Sequence, residues 1–298
     1  MGKIVEILKS GRILVSDGAC GTALQQRGLK PGECPEAWSV NRFDDVVEIA
    51  QSYINAGADM VETNSFGGTC FKLEHYGLAD KAGEINEAAA RAARRAAGDK
   101  LVLGSMGPTG KMLLMGDVTA DDLYKAFKEQ AQALERGGVD AICIETMSDA
   151  EEAAIAVRAA KENTGLEVLA TFTFDKTKQG DYRTMMGLTP EDAAAAALDA
   201  GADIIGTNCG NGIERMIDIV KVIKKAFPHS YILVHANAGL PENIDGRDTF
   251  PETPEMMAEL VPKLIAAGAN IVGGCCGTTG AHIAAIKKAV DEYCEKVK

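Results

Sequence analysis

Ala56-Gly57-Ala58-Asp59-Met60-Val61 is the first copy of a phrase that the chain repeats three more times. It returns as Gly137-Gly138-Val139-Asp140-Ala141-Ile142, as Ala200-Gly201-Ala202-Asp203-Ile204-Ile205 and as Ala267-Gly268-Ala269-Asn270-Ile271-Val272. In each copy a glycine stops a helix and a short apolar run follows at once, the signature of a helix leading into a buried strand. Further runs of strand composition lie between the copies: Ile13-Leu14-Val15, Leu101-Val102-Leu103, Val168-Leu169-Ala170 and Ile232-Leu233-Val234. Together these are eight apolar runs, near residues 13, 58, 101, 139, 167, 202, 231 and 269.

Helical stretches fill the gaps. Thr189-Pro190-Glu191-Asp192 and Thr253-Pro254-Glu255 each set an N-cap threonine before a proline at the first helical position. Ser148-Asp149-Ala150-Glu151 reads as a capping box, and Ala88 to Ala97 is rich in the strong helix formers alanine and arginine. Apolar strands that do not alternate, separated by helices, imply a parallel sheet with helices over its outer face. Eight near-regular units in 298 residues predict one α/β domain spanning 1–298, closed as a (β/α)8 TIM barrel rather than opened as a doubly wound sheet. Two long loops are expected on the C-terminal side of the strands, where barrel active sites are built: Gly28 to Asn41, with the only tryptophan, and Gly239 to Thr253.

With 46% hydrophobic and 25% charged residues, the composition is that of a soluble globular protein. No apolar run approaches the roughly 20 residues of a membrane span, and the start Met1-Gly2-Lys3-Ile4-Val5-Glu6 carries no apolar signal segment. A net charge of −12 argues against nucleic acid and against an anionic membrane surface, both of which need a basic footprint. Eight cysteines are too sparse for a disulfide scaffold, so they read as reduced thiols of a cytoplasmic protein. Cys20, Cys34, Cys70, Cys143 and Cys294 are scattered, and most of them are expected to be buried or inert.

The other three are placed differently. Cys275 and Cys276 stand side by side in Gly273-Gly274-Cys275-Cys276-Gly277-Thr278-Thr279, and Cys209 stands in Thr207-Asn208-Cys209-Gly210. Adjacent residues on a strand face opposite ways, so a common target for both cysteines requires the backbone to leave strand geometry, which glycine permits. The runs that precede them are the sixth and eighth, two positions apart around a barrel, so three thiolates can converge at its mouth. Three soft sulfur ligands with one position left open describe a catalytic zinc; structural zinc normally takes four protein ligands. Zinc with three thiolates carries a formal charge of −1, a poor activator of water but a good acceptor for an incoming thiol, which it would hold as thiolate. The competing readings are a vicinal disulfide or redox dithiol at Cys275 and Cys276, a storage or sensing zinc site, and a fourth ligand from His235 on the seventh run.

Asp17-Gly18-Ala19-Cys20-Gly21-Thr22, Glu62-Thr63-Asn64-Ser65-Phe66, Gly107-Pro108-Thr109-Gly110, Asn208-Cys209, Asn237-Ala238-Gly239 and the Gly273 to Thr279 segment fall at successive strand ends. In that order they resemble the zinc-dependent homocysteine S-methyltransferase family from about residue 10 to 290. The likeness is greatest to the N-terminal homocysteine-binding domain of cobalamin-dependent methionine synthase. Two positions depart from the family's frequent pattern: Ala236 replaces a proline before Asn237, with His235 ahead of it, and Gly280 replaces a proline after Thr279.

The resemblance implies that Cys209, Cys275 and Cys276 bind Zn2+, that Asp17 and Glu145 hold the ammonium group of homocysteine, and that backbone amides at Gly18 and Ala19 hold its carboxylate. A zwitterion needs anions at one end and N–H donors at the other, so the assignment is chemically consistent. Homocysteine would displace water or the Asn237 side chain from the open zinc position and take a methyl group, giving methionine. The chain has no Asp-x-His-x-x-Gly corrinoid-ligand motif. The methyl donor is therefore expected to be a methylcorrinoid on a separate protein, with free S-methylmethionine or betaine as the alternative. Oligomeric state is left open by the sequence.

Overall fold

The computed structural model describes residues 2–244 and 247–297. Asp245 and Gly246, inside the loop expected over 239–253, lie outside the described residues, as do Met1 and Lys298. All eight expected strands form: β1 (Leu14–Val15), β2 (Met60–Glu62), β3 (Leu101–Met106), β4 (Ala141–Met147), β5 (Glu167–Phe172), β6 (Ile204–Asn208), β7 (Ile232–Ala236) and β8 (Ile271–Gly274). They pair in parallel in the order β1-β8-β7-β6-β5-β4-β3-β2, the eight-stranded sheet of a (β/α)8 TIM barrel.

The repeated phrase has a physical meaning beyond its helix stop. In each copy the fourth residue makes a two-point clamp on the preceding strand. Asp59 N–H donates to the Val15 carbonyl (2.7 Å) while Asp59 Oδ2 accepts from Val15 N–H (3.0 Å). Asp140 does the same to Val102 (2.8 and 2.9 Å), and Asp203 to Val168 (2.8 and 2.8 Å). Asn270 repeats it on Ile232 (2.8 and 3.0 Å) through its amide oxygen. Strands are thus tied at their starts in pairs, β1 to β2, β3 to β4, β5 to β6 and β7 to β8. The glycine stops hold left-handed backbone, with φ of 101° at Gly57, 96° at Gly138, 103° at Gly201 and 120° at Gly268.

Between β1 and β2 the seam is closed by aspartates rather than by a ladder: the Asp59 clamp at the bottom and Glu62 N–H to Asp17 Oδ2 (2.8 Å) near the top. Inside the barrel Leu14, Met60, Leu103, Cys143, Leu169, Ile204, Leu233 and Ile271 pack as one apolar layer. The helix Lys3–Lys9, not expected from the sequence, lays Ile4 and Leu8 onto the bottom of that layer. Its first amides, Ile4 N–H and Val5 N–H, are capped by the buried Glu167 carboxylate (2.7 and 2.9 Å).

The outer helices start largely where their caps predict. Thr189 and Thr253 accept from Asp192 N–H and Met256 N–H, each with proline in the first turn. One cap differs: Asp149, not Ser148, caps the helix Ala150–Asn163, its carboxylate accepting from Glu151 and Glu152 N–H. A carboxylate at the positive end of a helix is favoured over a hydroxyl, and no reciprocal box forms. The loop over 28–41 contains the short helix Trp38–Asn41, with Trp38 buried. No helix among the described residues is long and apolar enough to cross a membrane.

The clamps predict a graded loss. Asp203→Ala removes the acceptor for the buried Val168 N–H and is expected to cost about 2 kcal/mol in urea unfolding. Asp203→Asn is expected to cost about half that, because Asn270 shows that a neutral amide can make the same clamp.

Candidate metal centre and acidic ring

The apolar layer ends abruptly. Two residues further along the strands, on the same inward face, stand Ser16, Glu62, Ser105, Glu145, Thr171, His235 and Gly273, joined by Asn208 from β6. This polar ring is the floor of the barrel mouth, and the three cysteines rise from the strands at one side of it.

Their backbones leave strand geometry as the adjacent pair demands. β8 ends at Gly274, and Cys275 to Thr278 form a turn in which Thr278 N–H donates to the Cys275 carbonyl (3.1 Å) and Gly277 has a φ of 81°. Cys209 itself sits in the left-handed region (φ 58°), as does Thr146 (φ 59°); they are the non-glycine residues with positive φ among those described. Such backbone costs roughly 1–3 kcal/mol and clusters at functional sites. At Thr146 it coincides with a break in the β4–β5 register between Ile144 and Met147.

The segment Asn237-Ala238 stitches the two cysteine loops together. Asn237 N–H donates to the Asn211 carbonyl (2.9 Å), and Ala238 N–H to the Cys276 carbonyl (3.0 Å). Cys209 N–H and Cys275 N–H in turn donate to the carbonyls of His235 (3.0 Å) and Ala236 (2.7 Å). The three sulfurs lie within 4.8 Å of one another, with Cys209 Sγ and Cys276 Sγ 3.8 Å apart. A tetrahedral zinc with bonds of about 2.3 Å has sulfur–sulfur edges of about 3.8 Å, so the donor set fits such an ion. Without a cation the sulfurs compete. Hydrogen bonds from Cys275 and Cys276 draw Cys209 down to about 3, and its thiolate in turn pushes Cys276 up to about 12. His235 is not part of the sulfur cluster: its Nδ1 faces Glu62 Oε1 at 3.8 Å, and burial holds the imidazole down to about 4.

Three carboxylates converge beside the sulfurs. Burial pushes Asp17 and Glu145 up to about 7, and burial with the charges of Glu145 and Asp17 raises Glu62 as well. Asn208 fixes Glu145 with all its amide capacity. Its Oδ1 accepts from Thr171 Oγ1 and Thr146 N–H (both 2.7 Å), while its Nδ2 donates to Glu145 Oε2 (3.1 Å) and Thr146 Oγ1 (2.7 Å). At the far side Gly18 has no room for a side chain, since a Cβ would meet Thr278 Oγ1 at 2.6 Å and the Tyr53 ring at 2.9 Å. Thr278 Oγ1 accepts from Ala19 N–H (3.2 Å) and Tyr53 OH donates to the Ala19 carbonyl (2.8 Å), so the turn after β1 is locked to the Cys275 turn.

Residues 14–290 match the homocysteine S-methyltransferase family. The chain belongs to that family. Methionine synthase of Mycobacterium tuberculosis is 35% identical over 94% of the chain, and methionine synthase of Mycobacterium leprae is likewise 35% identical over 94%. The chain spans about a quarter of the length of these curated relatives (25% and 24%). The metallated form of the homocysteine methyltransferase MmuM from Escherichia coli has the same fold, with a TM-score of 0.77 at 24% identity over 95% of this chain and 98% of that one.

In this homocysteine S-methyltransferase barrel all the residues singled out in the sequence gather at the mouth. Of the thiols outside the cluster, Cys34 and Cys143 are buried while Cys20, Cys70 and Cys294 are half-buried, and burial, with nearby carboxylates, pushes Cys20, Cys34, Cys70 and Cys143 up. Thr278, Tyr53, Ser105 and Asn208 were not expected as site residues. Asn208 and Thr278 lie inside quoted motifs, Asn208 next to Cys209 and Thr278 two residues after Cys276, and that nearness is their one visible signal; nothing local marks Tyr53 or Ser105.

Asn208→Ala is expected to cost about 2–4 kcal/mol, because it strands several buried partners at once. Asn208→Asp puts a second carboxylate where the amide nitrogen lies 3.1 Å from Glu145 Oε2. Both acids would then be held above their unfolded values. Their contribution is fully present below the unfolded range near pH 4 and is lost as pH rises through the folded value, about 7 for Glu145. Urea unfolding of N208D should therefore lose stability between pH 5 and about pH 8 more steeply than the wild type.

Proposed function

We propose that this barrel transfers a methyl group to the sulfur of homocysteine at a zinc ion held by Cys209, Cys275 and Cys276, with a methylcorrinoid protein as donor. The observation that carries this reading is an open three-sulfur cluster beside a ring of buried carboxylates, in a chain of the homocysteine S-methyltransferase family. Bound there, zinc supplies the Lewis acidity that turns an incoming thiol into a thiolate near neutral pH.

The chain's own groups do the rest by positioning. Asp17 and Glu145 offer anions to the ammonium group, and Glu145 is close enough to Cys209 to feel its charge. Gly18 N–H has no acceptor among the described residues and serves the substrate carboxylate, while Ala19 N–H is engaged by Thr278 and shapes the turn. The Asn237 side chain lies close enough to Cys209 to help lower its thiol, and its Oδ1 has no partner among the described residues, a weak oxygen donor for the open position before the thiol arrives. Held this way, the substrate sulfur stands at the mouth and is open to attack an electrophilic methyl from above.

A protein-borne donor is favoured by what surrounds that mouth. Leu114, Met115 and Met185 are exposed by 84%, 70% and 78%, with Phe66, Met112 and Leu240 also on loops that follow strands. Large exposed apolar side chains on the segments that follow the strands suit docking of another folded surface better than entry of a small soluble cation. A cytoplasmic setting, which keeps thiols reduced, suits eight free cysteines.

Zinc-loaded protein with homocysteine should form methionine with a methylcorrinoid donor, and chelation should abolish the activity. Robust methionine formation from S-methylmethionine or betaine without corrinoid would sink the assignment of the donor. Replacing any one of Cys209, Cys275 or Cys276 by alanine should weaken zinc binding by more than about 100-fold in chelator competition. X-ray absorption at the zinc edge should show a change from three to four sulfur ligands on adding homocysteine. An unchanged sulfur count would favour a storage or sensing site instead.

A further inference from the structure

Glu62 opens the Glu62-Thr63-Asn64-Ser65-Phe66 motif, and the chemistry described so far gives its side chain nothing to do. The three acids of the ring differ in how their oxygens are occupied. Asp17 Oδ1 accepts from Ser16 Oγ (3.2 Å) and Oδ2 from Glu62 N–H (2.8 Å). Glu145 Oε1 accepts from Ser105 Oγ and Oε2 from Asn208 Nδ2 (3.1 Å). The Glu62 carboxylate has the Cys143 thiol as its side-chain donor, and its Oε1 is buried with no partner among the described residues.

Its neighbour does not make up the lack. His235 Nδ1 stands 3.8 Å from Glu62 Oε1, beyond hydrogen-bond reach, and the other ring nitrogen, Nε2, is also without a partner on a side chain 2% exposed. With Asn237 Oδ1, three of the six buried side-chain polar atoms without partners among the described residues lie around this one mouth. A buried polar atom left without a partner is destabilising, so the concentration of such atoms in one place marks where a ligand supplies what the chain does not.

The missing partner has a definite character. Glu62 feels the charges of both Glu145 and Asp17, so the group that relieves all three must be a cation able to donate several hydrogen bonds. A primary ammonium carries one positive charge and three N–H donors, one for each carboxylate. A guanidinium is planar and larger, and a quaternary ammonium donates nothing.

We propose that Glu62 is a specificity-determining residue that accepts an N–H of the substrate ammonium through its free Oε1, so that the site selects thiols bearing a primary α-amino group over thiols without one. This rests on homocysteine being the acceptor and adds a third anion to Asp17 and Glu145. The ring then reads charge and donor geometry together, rather than charge alone.

The test compares homocysteine with 4-mercaptobutyrate, which keeps the thiol, the chain length and the carboxylate but lacks the amine. Dissociation constants for both are measured by calorimetry on the zinc-loaded wild type and Glu62→Gln. E62Q is expected to weaken homocysteine by about 10- to 100-fold and to leave 4-mercaptobutyrate within about twofold. The ratio of the two constants within one variant does not depend on how much of it is folded. A ratio unchanged from wild type overturns the role of Glu62 and leaves homocysteine as the acceptor. A wild type that binds neither thiol overturns both.

Discussion

Register at the strand starts is the constraint on which everything else in this barrel depends. Side chains alternate in and out along a strand, so a slip of one residue would turn every inward group outward. The clamps of Asp59, Asp140, Asp203 and Asn270 on Val15, Val102, Val168 and Ile232 set that register at four of the eight strand junctions. With it set, Leu14, Met60, Leu103, Cys143, Leu169 and Leu233 face inward as an apolar plug. Two residues on, Ser16, Glu62, Ser105, Glu145, Thr171 and His235 must then face inward too. The site floor is a consequence of clamps made at the other end of the same strands.

Above that floor the backbone gives up regularity where chemistry needs it. Cys209 and Thr146 adopt left-handed backbone, which neither side chain favours. The Asn208 amide, bonded on both faces, holds Thr146 and Glu145 while its own backbone leads directly into Cys209. One buried amide on β6 thus braces Thr146, two strands away, and stands next in the chain to Cys209. Glycine solves the parallel problem on β8, where Gly277 completes the turn that lets Cys275 and Cys276 approach one cluster. Different residues meet the same requirement, namely cysteine sulfurs that converge from strands separated by β7.

Much of this was legible in the chain. The repeated phrase marked the helix stops and half the strands, and the threonine–proline pairs marked two helix starts where the structure has them. The three cysteines were separable from the other five by their position after apolar runs. The capping of Ala150–Asn163 by Asp149 rather than Ser148 and the plug helix Lys3–Lys9 were not legible. The first turns on which side chain reaches the helix amides. The second depends on Glu167, far along the chain, reaching back to cap it.

The sequence by itself determined the number of units, their order and which three cysteines stand apart from the rest, because those follow from local patterns of glycine, apolar runs and strand ends. Resemblance to the family singles out Asp17 and Glu145 and gives no role to Glu62, the third acid at a strand end. Their difference lies in which oxygens are occupied: Ser16 and an amide for Asp17, Ser105 and Asn208 for Glu145, and nothing at Glu62 Oε1. For Glu145 the donors come from strands about 40 and 60 residues away in the chain, and only closure of the barrel brings them to the same ring.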